Sequence, residues 1–397
     1  MYIKSIAAIF LLCANCCIAQ VKQVNTDNNH NDYFHTASSW QMLLAQAKQA
    51  NKLIFIDCYF TGCHPCALMD KQVFPLESVS SMLNTDFFPV KVDVLKEAIG
   101  DSIMRKYGIT GFPTFLIIDA EGMLISIFDG YTDAPALISE LENARQMHTA
   151  KQWYMGFSGE LNVAYDQIYL ELANRKTAAP SGEAMNAYLN NAVDPLEEKV
   201  AIAYLSYPKL DDVAAKRFQE HYVAFSNLFG SELATKQLVN IYRSRMSTAH
   251  QNGSSVASAE SLIAEAGKVA GKRDAAVVKF LLGYHYFLGQ QKDTTAFLMF
   301  AQQDAVLHAS YMKSVYDKLY YARRLSTEQA MLFIQWAEQA IDTNAPLASL
   351  EWAATMEERQ NRSAEATRYW KWAQQRATKA GMASALYDSK LGISQTE

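Results

Sequence analysis

The chain has 397 residues, half of them apolar and 19% charged, with a formal net charge of -5. This length suggests two or three domains with cores of their own, and the apolar content excludes a disordered chain. A mild negative charge without any cluster of Lys and Arg argues against a nucleic-acid surface.

In chain order, residues 1–19 read as a secretory signal: Lys4, an apolar core over 6–12, then Cys17-Ile18-Ala19 with small residues at the cleavage positions. The apolar run is too short for a membrane span, and no later run reaches the roughly 18 to 20 apolar residues one needs. These features lead to the expectation of a soluble exported protein, periplasmic or secreted. Lipoprotein cleavage before Cys16 or Cys17 is disfavoured, because Cys13-Ala14-Asn15 and Ala14-Asn15-Cys16 match such sites poorly. Residues 20–36 read as a polar, Asn-rich tether with His30 and His35 at the surface.

Trp40, Leu43, Leu44 and Ala47 have helical spacing, with Ser38 or Ser39 as cap and Asn51 as stop. Residues 53–60 form a near-continuous apolar run, as in a central strand covered on both faces. Helical spacing resumes after Cys63 and stops at Pro75. Further strands are predicted at 87–94, 115–118 and 124–128, the last two forming a hairpin through Asp119-Ala120-Glu121-Gly122, with helices at 96–107 and 134–148. Strands alternating with helices predict an α/β layered domain over 37–148.

From 149 to 397 the β-type runs disappear and an all-helical domain is predicted. Its punctuation falls at 176–182, 206–209 and 250–258. Phe300-Ala301-Gln302-Gln303, Trp336-Ala337-Glu338-Gln339 and Trp372-Ala373-Gln374-Gln375 recur every 36 residues, with Ala330 and Ala366 at the small-residue crossings. That interval suggests tetratricopeptide-like helix pairs, a binding scaffold; chance echoes between Ala-rich helices are the alternative.

The chemistry concentrates at Cys63-His64-Pro65-Cys66, directly after the apolar strand. A CxxC at a helix start favours the thiolate of its first cysteine through the helix amides and dipole. Cys63 is therefore expected to attack and Cys66 to resolve the mixed disulfide. A zinc site is disfavoured, because the mature chain has no second CxxC and no HxxxH to complete four ligands. Asp57, inside the apolar strand, suits a proton acceptor for Cys66, an edge position in contact with water being the alternative. Cys58 faces the opposite side of the strand and is expected in the core.

These residues, together with Tyr107-Gly108-Ile109-Thr110-Gly111-Phe112-Pro113-Thr114, resemble the thioredoxin superfamily, and most of all the carboxyl-terminal thioredoxin module of DsbD. The resemblance covers roughly 37–148. It implies a thioredoxin fold, with Cys63 as nucleophile, Cys66 as resolving thiol, Asp57 as buried proton acceptor and Pro113 as a cis-proline facing the dithiol. The Phe112 backbone would then pair with an extended substrate segment, beside His64 and Pro65. Three positions depart from the pattern: Gly62 for Trp, His-Pro for Gly-Pro, and Ala67 for Lys. A His beside the nucleophile stabilises the thiolate and makes the disulfide more oxidising; His64 facing solvent is the alternative.

The resulting expectation is an exported thiol:disulfide oxidoreductase acting on protein dithiols or disulfides, reductase rather than oxidase. It would use neither cofactor nor metal, would be recharged by a redox partner, at the membrane or away from it, and would bind no nucleic acid. The rival reading is a non-catalytic helical-repeat binding or assembly protein with a structural thioredoxin-like appendage.

Overall fold

The computed structural model describes residues 32–36, 39–174, 178–253, 255–303 and 325–393. The expected signal, most of the expected tether and His30 lie outside the described residues. Within them no helix is long and apolar enough to cross a membrane.

The first unit is a four-stranded mixed sheet in the order β2-β1-β3-β4. Strand β1 (Leu53–Tyr59) is parallel to β2 (Phe87–Asp93) and antiparallel to β3 (Thr114–Ile118), and β4 (Leu124–Asp129) closes the predicted hairpin. The continuous apolar run of β1 is explained by its central place, with helices over both faces. Ile54, Ile56 and Cys58 pack against α1 (Trp40–Ala50) and α4 (Ala98–Tyr107). On the other face Leu53, Phe55 and Phe115 pack against α2 (His64–Gln72), α3 (Glu77–Asp86) and α5 (Ala134–Thr149). Ser39 caps α1 by accepting from the Met42 N–H, and Asn51 ends it in the left-handed region.

Residues 33–36 correct the expected tether. Phe34 is buried against Phe55 and Phe74, the Tyr33 hydroxyl donates to the Phe74 carbonyl at 2.9 Å, and His35 makes a parallel bridge to Val90 with its ring stacked on Phe88. Two aromatic side chains reward burial, and the bridge satisfies backbone groups that an edge strand would leave unpaired. His35 is half-buried rather than free at the surface.

The rest of the chain is mostly helical, as predicted, but residues 150–166 are largely irregular. They lie along the α1/α4 face, where the Trp40 indole N–H donates to the Gly159 carbonyl at 3.1 Å and Phe157 packs on Tyr107. Helices α6 (Gln167–Ala173), α7 (Gly182–Asn191) and α8 (Glu198–Ser206) follow, then α9 (Asp212–Glu220), α10 (Tyr222–Phe229), α11 (Ser231–Gln251) and α12 (Val256–Gly283). A π-helical turn over Tyr284–Gln291 follows Gly283, where an added Cβ would stand 2.2 Å from the Phe300 ring. The last long helices span Thr327–Ala340, Leu347–Arg359 and Ser363–Lys379. Ala380 joins the core on the α3/α5 face, so helical segments pack on both sides of the sheet unit.

Candidate active site

Cys63 and Cys66 are joined in a disulfide with a Cα–Cα distance of 5.3 Å. Cys63 is the N-cap of α2, and the Cys66 backbone N–H donates to its Sγ at 3.2 Å. An orphan amide at the helix start is thus aimed at the sulfur that would carry charge as a thiolate. His64 and Pro65 occupy the first helical turn, where proline costs nothing because its missing N–H would be unpaired anyway. Cys63 is 6% and Cys66 2% exposed, whereas His64 is exposed. Gly62 has φ +98, with open space around a built Cβ. Backbone conformation therefore accounts for glycine where the pattern has Trp.

Asp57 is 1% exposed, on the β1 face that looks toward α2. In the parallel ladder it stands opposite Lys91 of β2, whose Nζ lies 3.5 Å from its Oδ2. The same ammonium is hydrogen-bonded to Asp70 on α2 and sits over the rings of Tyr59, Phe34 and Phe74. Burial pushes the Asp57 carboxyl up to about 6; Lys91 opposes the shift and Asp70 adds to it. Lys91 and Asp70 are site residues that the sequence reading missed. The available signal was a lysine inside the apolar strand Phe87–Asp93, in register with the one carboxylate of the neighbouring strand.

Asp93 was also missed. Its Oδ2 accepts from the Thr61 backbone N–H at 3.1 Å and from the Thr61 hydroxyl at 2.6 Å, tying the approach to Cys63 to the end of β2. The Phe112–Pro113 peptide is cis, as the resemblance implied. Pro113 is buried directly before β3, beside the end of β1 from which the dithiol loop departs, and Phe112 packs edge-on against Phe60 at 5.2 Å. The dithiol, Asp57 and Pro113, spread over 57 positions of sequence, therefore gather at one end of the sheet. Cys58 is free and buried on the opposite face. A cleft of about 500 Å³ between Lys52, Asp86, Arg145 and His148 lies at the other end of the sheet, away from these groups.

Comparison with known proteins finds a thioredoxin-like domain over residues 40–145. Thioredoxin H4 of Arabidopsis thaliana is 35% identical over 86 residues, covering 22% of this chain and 67% of the plant protein. Chloroplastic thioredoxin Y2 of the same plant is 34% identical over 100 residues, covering 25% of this chain and 56% of its own. The thiol:disulfide interchange protein DsbD of Cronobacter sakazakii is 29% identical over 111 residues, covering 27% of this chain and 19% of its own. Each match covers at most 27% of this chain.

Proposed function

The chain belongs to the thioredoxin-like family as a thiol–disulfide oxidoreductase, and from that premise we propose that it is an exported reductase of protein disulfides. The observation that carries the reading is the Cys63–Cys66 pair at a helix start, on the side of the sheet that holds a buried carboxylate, Asp57, beside Lys91.

In the reducing direction the Cys63 thiolate attacks one sulfur of a client disulfide. A Cys63–client bond forms and the other client sulfur leaves as thiolate. Cys66 then gives its proton to Asp57 and attacks Cys63. The Cys63–client bond breaks, the second client sulfur leaves as thiolate, and two electrons have passed to the client. The protein is left as the Cys63–Cys66 disulfide, and a dithiol partner, at the membrane in this reading, returns two electrons. The charge on the α2 side supports this direction: two carboxylates, Asp57 and Asp70, share the single ammonium of Lys91, and the net negative charge disfavours the thiolate state and makes the dithiol a better donor. Pro113 and the Phe112 backbone, with His64 and Pro65 beside the nucleophile, form the client contact in this reading.

The helical half selects the client or presents the redox unit to its partner. Its last helices support a helix-pair reading: Ala330, Trp336 and Ala366 are buried, and Gly283 admits the Phe300 ring.

The test is insulin reduction by the purified protein supplied with dithiothreitol. The wild type is expected to be active, Cys63→Ser inactive, and Cys66→Ser trapped as a client mixed disulfide. No thiol-dependent reduction by the wild type would overturn the reading. A reduction potential close to about -270 mV supports a reductase, and one close to about -120 mV an oxidase.

A further inference from the structure

The loop carrying Phe112 and Pro113 is braced from outside the thioredoxin-like unit. Helix α11, in the helical half, reaches it through Lys236, whose Nζ donates to the Thr110 hydroxyl at 2.8 Å across 126 positions of sequence. The other flank of the loop is formed by the end of β4. A Cβ built on Gly111 would stand 3.0 Å from Asp129 Oδ2, and the Gly130 N–H donates to the Pro113 carbonyl at 2.8 Å. Glu232, one turn before Lys236 on α11, faces Asp129, and burial together with that neighbouring carboxylate pushes its own carboxyl well up. Residues 110–113 are thus held between β4 and a helix supplied by the other half of the chain.

Lys236 and Thr110 are both exposed. An exposed polar pair contributes little to stability, so fold energy does not account for its position. Its location does, because the Phe112 backbone is the edge along which an extended segment would add as a strand.

We propose that α11 forms one wall of the client groove, and that Lys236 is a positioning residue holding the Thr110–Pro113 loop in register for an extended polypeptide that bears the target disulfide. This rests on the oxidoreductase reading above. A small disulfide that meets only the Cys63 sulfur has no segment to lay along the loop and does not depend on the wall.

The test compares insulin with oxidised glutathione as substrates of the full-length protein. Lys236→Ala is expected to raise the KM for insulin about 2- to 5-fold, the worth of one exposed polar contact, with kcat little changed. The ratio of kcat/KM for insulin to that for oxidised glutathione falls by the same factor. Lys236→Arg restores the ratio, since a guanidinium still donates to the Thr110 hydroxyl. Thr110→Val, which removes the acceptor from the other side, reproduces the rise. An unchanged insulin KM in both variants, or an equal loss on both substrates, overturns the proposal. A wild type inactive on both substrates overturns the oxidoreductase reading and the wall with it.

Discussion

Burial drives the Asp57 carboxyl up to about 6 against the pull of Lys91, so the group changes charge within the range where a dithiol operates. The folded state prefers the protonated form relative to the ordinary value of 3.8. Asp57 therefore costs nothing below that value; its cost grows as pH rises toward 6 and is constant above it. Asp57→Asn is expected to stabilise the oxidised protein at pH 7 by at most about 3 kcal/mol and to flatten the change in stability between pH 4 and 6, as urea titrations at several pH values would show. The same variant should slow the resolving step about 10²- to 10⁴-fold, the usual worth of a positioned proton acceptor, measured as a longer-lived mixed disulfide. The dithiol and Asp57 were legible from their local pattern, a CxxC directly after an apolar strand that carries one carboxylate, and Pro113 from the resemblance that Tyr107 to Thr114 carries. Lys91 was not, because its pairing with Asp57 exists only through the register of β1 on β2. Asp70 required knowing which face of α2 turns toward that lysine.

Helix starts and stops were readable to within a few residues because their caps are local chemistry, as with Ser39, Asn51 and the strand hairpin after Asp119. What local chemistry did not announce is one carboxylate serving two helices. Asp133 accepts from the Ala136 N–H at the start of α5 at 3.0 Å, and the same carboxylate is held down by the N–H groups of Leu347 and Ala348 at the start of the helix Leu347–Arg359. One cap is worth about 0.5–2 kcal/mol. Asp133→Ala is therefore expected to cost roughly twice a single cap, about 1–4 kcal/mol, read as a lowered denaturation midpoint. A loss no larger than that of Ser39→Ala would show that only one helix depends on it. The strand-like contact of residues 33–36 escaped notice because its gain comes from an open sheet edge and one buried ring, Phe34, flanked by the half-buried Tyr33, and the polar sequence before it masked both.

At the scale of the molecule the two halves share one apolar core across the α1/α4 face, pinned by a buried ion pair. Lys106, fully buried on α4, lies 2.6 Å from Glu198 at the start of α8 and also donates to the Ser158 hydroxyl. Removing one partner strands the other charge. Lys106→Met is expected to destabilise by about 3–5 kcal/mol, while adding Glu198→Leu recovers most of that loss because a well-packed apolar pair replaces the ions. Thermal unfolding of the single and double variants measures both. If the halves unfold together, a single transition should move in every variant.

The opposite face is closed much later in the sequence: the Ser78 hydroxyl donates to the Ala380 carbonyl, and Ala380 packs with α3 and α5. A ribosome adds about 5–20 residues per second, so roughly 10–50 s of elongation separates completion of α5 from synthesis of the residue that covers it. During that interval every residue of the sheet unit, its cysteines included, has been made, but part of its cover has not. The nascent chain therefore passes through a stage at which a chaperone or protease meets a surface that the finished protein never presents.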